Sequence, residues 1–198
     1  MKYTTLFMAR FRKTPVFQIN DVQKFMHQYG SSKAYATIFI SRMVKSARVY
    51  RLSGGFYTLY NEIETVGFQF YPFYYGLGYA LTHYNLWKQQ ANPYVLTVKN
   101  VRRGTRNAFG LNYNIGKISK KMFFGYSYFK GRSFYYPVSD LEKTLIDCIY
   151  YNMPLEDYVY ENAFKRSNQK KMSMYLKKCN TRTRLKYKKL HRMYARTA

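Results

Sequence analysis

Acidic residues are scarce in this chain: 9 Asp+Glu stand against 34 Lys+Arg in 198 residues, a formal net charge of +25. An imbalance of that size excludes an electrostatically neutral surface and points to a polyanionic partner: DNA, RNA or an anionic membrane. Long hydrophobic runs are also lacking. Lys or Arg interrupts every apolar stretch before about 18 residues, which excludes a transmembrane helix, and no membrane partner is expected. The opening MKYTTLFMARFRK has no continuous apolar core before a small-residue cleavage site, so it does not read as a signal peptide, and an intracellular, cytoplasmic protein is expected. Cysteine is limited to Cys148 and Cys179, 31 positions apart and without C-x-x-C spacing, which indicates neither a zinc site nor a disulfide framework.

The residue patterns of enzymes are missing too. His27, His83 and His191 lie far apart, with no H-E-x-x-H or H-x-C spacing, and read as surface or packed residues. There is no G-x-x-x-x-G-K-[ST] loop. Glu62 and Glu64 form the only close pair of glutamates, and Glu142 and Asp147 have a spacing suited to capping or orienting a helix. No enzymatic activity, metal or cofactor is expected.

What the chain does have is apolar surface: 47% hydrophobic and 20% aromatic residues, enough to bury a core and to exclude disorder throughout. The charge is unevenly placed. Residues 1–60 hold 10 basic and 1 acidic residue, residues 61–161 hold 11 and 8, and residues 162–198 hold 13 and none. A nearly balanced, Tyr- and Phe-rich middle thus lies between two cationic ends. No repeat and no Pro- or Ser-rich linker separates them. The division this suggests is a DNA-binding domain over 1–62 and an α+β domain over 63–198, with basic helices over 162–198.

In the first sixty residues, Leu6, Phe7, Arg10 and Phe11 have helical spacing over 3–13, ended by Thr14-Pro15. Val16, Phe17 and Ile19 read as a short apolar entry, after which Asn20 or Asp21 can cap a second helix carrying Val22, Phe25 and Met26. Ser31 or Ser32 can cap a third of about fifteen residues. Two β-prone runs, 48–52 and 56–60, then flank Ser53-Gly54-Gly55, which supplies the positive φ of a tight hairpin. Three helices followed by a hairpin predict a winged helix-turn-helix, in which the third helix enters the major groove and the hairpin touches the flanking backbone. On that reading Lys33, Tyr35 and Thr37 face bases, while Arg42, Lys45, Arg48 and Arg51 meet phosphates.

Further along, 74–81 reads as a helix, and 94–98, 117–124 and 134–138 read as strands. Ser139 is expected to cap a helix with Glu142 at its third position and a stripe of Leu141, Leu145, Ile146 and Ile149. In the basic tail, Met172, Tyr175, Leu176, Cys179, Leu185, Leu190 and Met193 recur at near-helical spacing, which predicts two short helices packed on the domain.

Four of these stretches resemble the AbiEi antitoxins of type IV toxin-antitoxin systems. Residues 40–59, ending in Gly55-Phe-Tyr-Thr-Leu59, are similar to the family's recognition helix, wing and G-x-Y-x-L closing strand, with Ala47 where a turn glycine is common. Residues 74–86 look like the helix that follows. Glu142, Thr144, Leu145 and Asp147 match the helix motif of its second domain, and 171–190, with Asn180 and Arg182 between helices, look like its terminal pair. The resemblance implies a transcriptional autorepressor that binds operator inverted repeats in its own promoter. It also implies that the C-terminal domain neutralises a nucleotidyltransferase-like toxin.

Lys177, Lys178, Arg182, Lys186 and Lys189 are the candidates for facing that toxin or a nucleic acid, and the sequence leaves DNA phosphate, RNA and an acidic protein surface all open. With no heptad seam, the chain is expected to be monomeric alone and to bind a repeat as two copies. The alternative is an RNA-binding or ribosome-associated protein that grips RNA with both basic ends.

Overall fold

The computed structural model describes residues 2–194, so the last four residues of the basic 162–198 segment lie outside the described residues. The chain is mixed α and β and divides into two compact units. One is built from the chain up to Gln69 together with Ala108–Gly110, the other from Phe70–Asn107 and the chain from Leu111 onward. Among the described residues no helix is long and apolar enough to cross a membrane.

The first unit contains α1 (Lys2–Phe11), β1 (Phe17–Gln18), α2 (Ile19–His27), α3 (Lys33–Lys45), β2 (Tyr50–Arg51) and β3 (Phe56–Thr58). Its three short strands form an antiparallel sheet in the order β1-β3-β2, with Phe17 opposite Tyr57 and Tyr50 opposite Thr58. The core is aromatic. Fully buried Phe7 meets the rings of Phe17, Phe25 and Phe39 edge-on at 5.2–5.9 Å, a geometry worth about 0.5–1.5 kcal/mol per pair beyond area burial. Helix α2 starts ahead of its candidate caps: Ile19 is already helical, and the Asp21 carboxylate accepts the Gln18 backbone N–H at 2.8 Å. Phe17, expected in an apolar entry, instead pairs as a strand with β3.

The second unit carries a six-stranded sheet in the order β6-β7-β5-β4-β9-β8, from β4 (Phe73–Tyr75), β5 (Tyr94–Thr97), β6 (Gly104–Ala108), β7 (Leu111–Lys117), β8 (Tyr126–Lys130) and β9 (Tyr135–Ser139). The β4–β9 and β5–β7 pairs are parallel, whereas β4–β5 and β8–β9 are antiparallel. Its helices are α4 (Leu77–His83), α5 (Leu141–Tyr150), α6 (Asp157–Arg166), α7 (Gln169–Lys178) and α8 (Thr181–Tyr194).

Three expectations are corrected here. Residues 73–75 form a central strand and the helix begins only at Leu77, because three successive buried aromatics suit a strand covered on both faces. Strand β7 ends at Lys117 and a 3₁₀ turn follows at Lys120–Met122, in place of a strand running to 124. Asp140, not Ser139, caps α5: its Oδ1 accepts the Lys143 N–H at 2.9 Å, which makes Glu142 the second helical residue, while the Ser139 hydroxyl pairs with that of Thr144 at 2.7 Å. In the tail, the stretch from Met172 to Met193 falls on the two expected helices, α7 and α8, with Asn168 capping α7 and the Asn180 side chain accepting the Thr183 N–H at 2.8 Å, while α6 precedes them from Asp157.

Candidate nucleic-acid interface

Helix α3 is delimited by local chemistry at both ends. The Ser32 hydroxyl accepts the Tyr35 N–H at 3.1 Å, which satisfies one of the donors orphaned at the first turn. At the other end Ala47 takes φ 53°, and the Arg48 N–H returns to the Met43 carbonyl at 3.0 Å, the six-to-one closure that usually places glycine in the left-handed position. The turn from α2 closes in the same way, with Gly30 at φ 76° and the Ser31 N–H on the Met26 carbonyl at 3.1 Å.

The 3.6-residue period decides which α3 side chains look outward. Ala36, Phe39, Ile40 and Met43 are buried. The opposite face centres on Ile38, 49% exposed, with Ala34, Tyr35, Ser41, Arg42 and Lys45 lying around it. Of the expected base-facing residues, only Tyr35 belongs to this face. Lys33 shares the azimuth of Ala36 and Ile40 and is exposed because it opens the helix. Thr37 lies to one side and its hydroxyl donates to the Lys33 carbonyl at 3.3 Å. Arg42 and Lys45 sit in the centre of the face, Arg48 is exposed just past the helix end, and Arg51 is exposed on β2. Ile38 reads as core by residue type and escapes a reading of the sequence. Only the phase of the helix against its buried set reveals it.

The hairpin beside α3 turns through Gly54 and Gly55 at φ 65° and 75°, and the Leu52 N–H on the Phe56 carbonyl closes it at 2.8 Å. The Ser53 hydroxyl donates to Gln69 Oε1 at 2.8 Å, tying the turn to its own unit.

In the second unit, two hollows of about 520 and 340 Å³ adjoin at Tyr150 and Asn180, which line both. Lys121, Lys177 and Lys178 edge the first, and Arg103, Arg182 and Lys186 edge the second. The fold thus brings together four of the five basic tail residues expected to face a partner. Lys189 instead borders an apolar hollow with Met153, Tyr160 and Met193. Arg103 and Lys121 have no sequence signal, since nothing local distinguishes them from other surface cations.

The second unit also holds a buried charged cluster. Lys143 and Asp147, both with fully buried side chains, form an ion pair one turn apart on α5, and the Tyr74 hydroxyl donates to Asp147 at 2.8 Å. Burial pushes the Asp147 carboxyl up, against the pull of Lys143, and pushes the Tyr74 hydroxyl well up, with Asp147 adding to it. Nearby, Lys171 bridges Asp140 and Glu142 at 3.1 and 3.0 Å, and Glu142 also accepts the Asn168 N–H at 2.7 Å. Burial raises the Glu142 carboxyl, but the Asn168 N–H and Lys171 outweigh it and hold the group below its ordinary value. These acids therefore hold α5 and α7 in place. Among the described residues no cluster of three His, Cys, Asp or Glu could hold a metal ion. His27 is exposed, His83 packs edge-on to Phe129, and His191 lies against Phe164 and Tyr187.

No family model matches the chain, and no curated protein matches it.

Proposed function

We propose that the first unit is a winged helix-turn-helix that binds duplex DNA, with α3 in the major groove and the β2–β3 hairpin against the flanking backbone. The observation that carries this reading is the outward face of α3, where Arg42 and Lys45 flank Ile38 and Tyr35 and no acid intervenes. Phosphates answer the two cations, and a thymine methyl answers the isoleucine. The element order, with β1 joining the hairpin to give β1-β3-β2, supports it as well. The single acidic residue before Tyr60, Asp21, is on α2, and α3 itself carries none.

The resemblance to AbiEi antitoxins supplies the setting: a non-enzymatic, cytoplasmic autorepressor that occupies inverted repeats in its own promoter, two copies per operator, and neutralises a nucleotidyltransferase-like toxin through its second unit. The test is a salt titration of binding to that promoter. Arg42→Ala/Lys45→Ala/Arg48→Ala is expected to lower the slope of log K against log salt by about 0.9 for each phosphate that is no longer neutralised. Ile38→Ala is expected to weaken binding and relax discrimination at one base pair. Unchanged affinity and slope in the triple variant would refute the assignment of α3.

A further inference from the structure

We propose that the groove of the second unit edged by Arg103, Lys121, Lys177, Lys178, Arg182 and Lys186 binds the phosphodiester backbone of a single-stranded nucleic acid. This site is independent of the duplex-binding reading of the first unit.

No acidic residue lines either hollow. Asp140, Glu142 and Asp147 neutralise Lys143 and Lys171. Among the described residues none of the six groove cations forms an ion pair. They come from four separate stretches: the approach to β6, the 3₁₀ turn after β7, the end of α7 and the start of α8. Folding therefore gathers like charges without compensation, and an anionic ligand relieves that repulsion.

Three of the cations are also held in position. The Lys178 ammonium lies 4.6 Å from the centre of the Phe124 ring, the Lys186 ammonium donates to Asn152 Oδ1, and the Arg103 guanidinium reaches the Lys117 carbonyl at 3.5 Å. The fourteen-residue α8 begins at Thr181 beside the groove and adds its positive end to the field.

Shape selects the kind of strand. The two hollows, of about 520 and 340 Å³, fall within the size range of small-ligand sites and share Tyr150 and Asn180 in their linings, a scale that matches nucleotide units of one strand and not the convex cylinder of a duplex. Half-buried Tyr150, its ring edge-on to Tyr151 at 5.2 Å, stands where the hollows join and offers an unpaired base a stacking surface.

The experiment uses the full chain and fluorescence anisotropy with labelled oligo(U) and oligo(dT), titrated with salt. Lys121→Ala/Lys177→Ala/Arg182→Ala is expected to weaken both about tenfold or more and to lower the salt slope by about 0.7 for each phosphate that is no longer neutralised. Tyr150→Leu is expected to weaken them about fivefold or more without changing the slope. A charge-matched control, Lys165→Ala/Lys170→Ala/Lys188→Ala, removes three exposed cations outside the groove and is expected to change little.

All these substitutions except Tyr150→Leu are at exposed positions, and thermal unfolding checks that each chain is folded. Equal losses in control and groove variants would reduce the effect to net charge and overturn the proposal. So would unchanged binding in the groove triple, or displacement of the strand by inorganic phosphate at equal phosphate concentration. Arg42→Ala/Lys45→Ala/Arg48→Ala, run in parallel, is expected to lose duplex binding alone. Loss of single-strand binding in that variant would move the site to the first unit and equally refute the groove.

Discussion

The two units handle charge in opposite ways. The first keeps its described cations at the surface around an aromatic core, and its buried polar side chains are the neutral Thr58, Thr65 and Gln69. The second buries Lys143, Asp147 and Glu142 among apolar residues and leaves six cations facing a groove. Basic residues of the same chain therefore contribute to different free energies. On α3 a cation is an exposed group that stability ignores, because it is solvated in both the folded and the unfolded state. Inside α5 it is part of the fold, because an unpaired buried ion costs several kcal/mol.

The sharpest way to break this contrast is at the buried pair. Asp147→Leu leaves Lys143 buried and unpaired and is expected to destabilise the chain by about 3–5 kcal/mol in urea unfolding. Replacing the whole group with Lys143→Met/Asp147→Leu/Tyr74→Phe, which leaves no polar atom behind, is expected to recover most of that loss. If the single variant unfolds at the original midpoint, the pair contributes nothing to the second unit. In the first unit the large term is aromatic: Phe7→Ala is expected to cost about 3–5 kcal/mol, whereas Arg42→Ala and Lys45→Ala each change stability by less than about 0.5 kcal/mol.

Smaller effects refine the comparison. Ala47→Gly removes the left-handed strain at the end of α3, offset in part by the greater freedom of the unfolded chain, and is expected to stabilise the first unit by about 0.5–1 kcal/mol in thermal melts. A loss of stability would mean that the alanine methyl makes packing interactions that outweigh the strain. The smallest effect is that of pH. Because the Glu142 carboxyl is held below its ordinary value, its stabilising contribution is complete above that value and is lost as pH falls through the lowered one. Glu142→Gln is therefore expected to flatten the acid limb of the stability curve of the second unit while leaving its shape near neutrality unchanged. An acid limb as steep as before would assign it to other carboxylates.

Much of the first unit is legible in the sequence because its signals are local. Ser32, Gly30 and Gly54-Gly55 mark a cap, a stop and a turn by their own backbone chemistry, and Phe7, Phe25 and Phe39 fall on the inward faces of their helices. Sequence and structure diverge where residue type and environment part company. Tyr74 and Tyr75 fit a helix by spacing but lie in a strand covered on both faces. The apolar stripe expected on α5 is too narrow, since everything from Glu142 to Ile149 is buried. Of the candidate α3 residues, Tyr35, Arg42 and Lys45 share a face that also holds Ile38, while Lys33 and Thr37 lie off it.

By itself the sequence determined the net charge, its concentration toward the two ends, the absence of long apolar runs and the three-helix start followed by a hairpin, because each is a property of composition or of residues within a few positions of one another. Only the tertiary structure decided that Lys143 is inside while Lys177 is outside, and that Arg103 and Lys121 join Arg182 at one groove. Those outcomes depend on which helix and which strand cover a side chain, and that is set by packing between segments many tens of residues apart, where no local spacing carries the information.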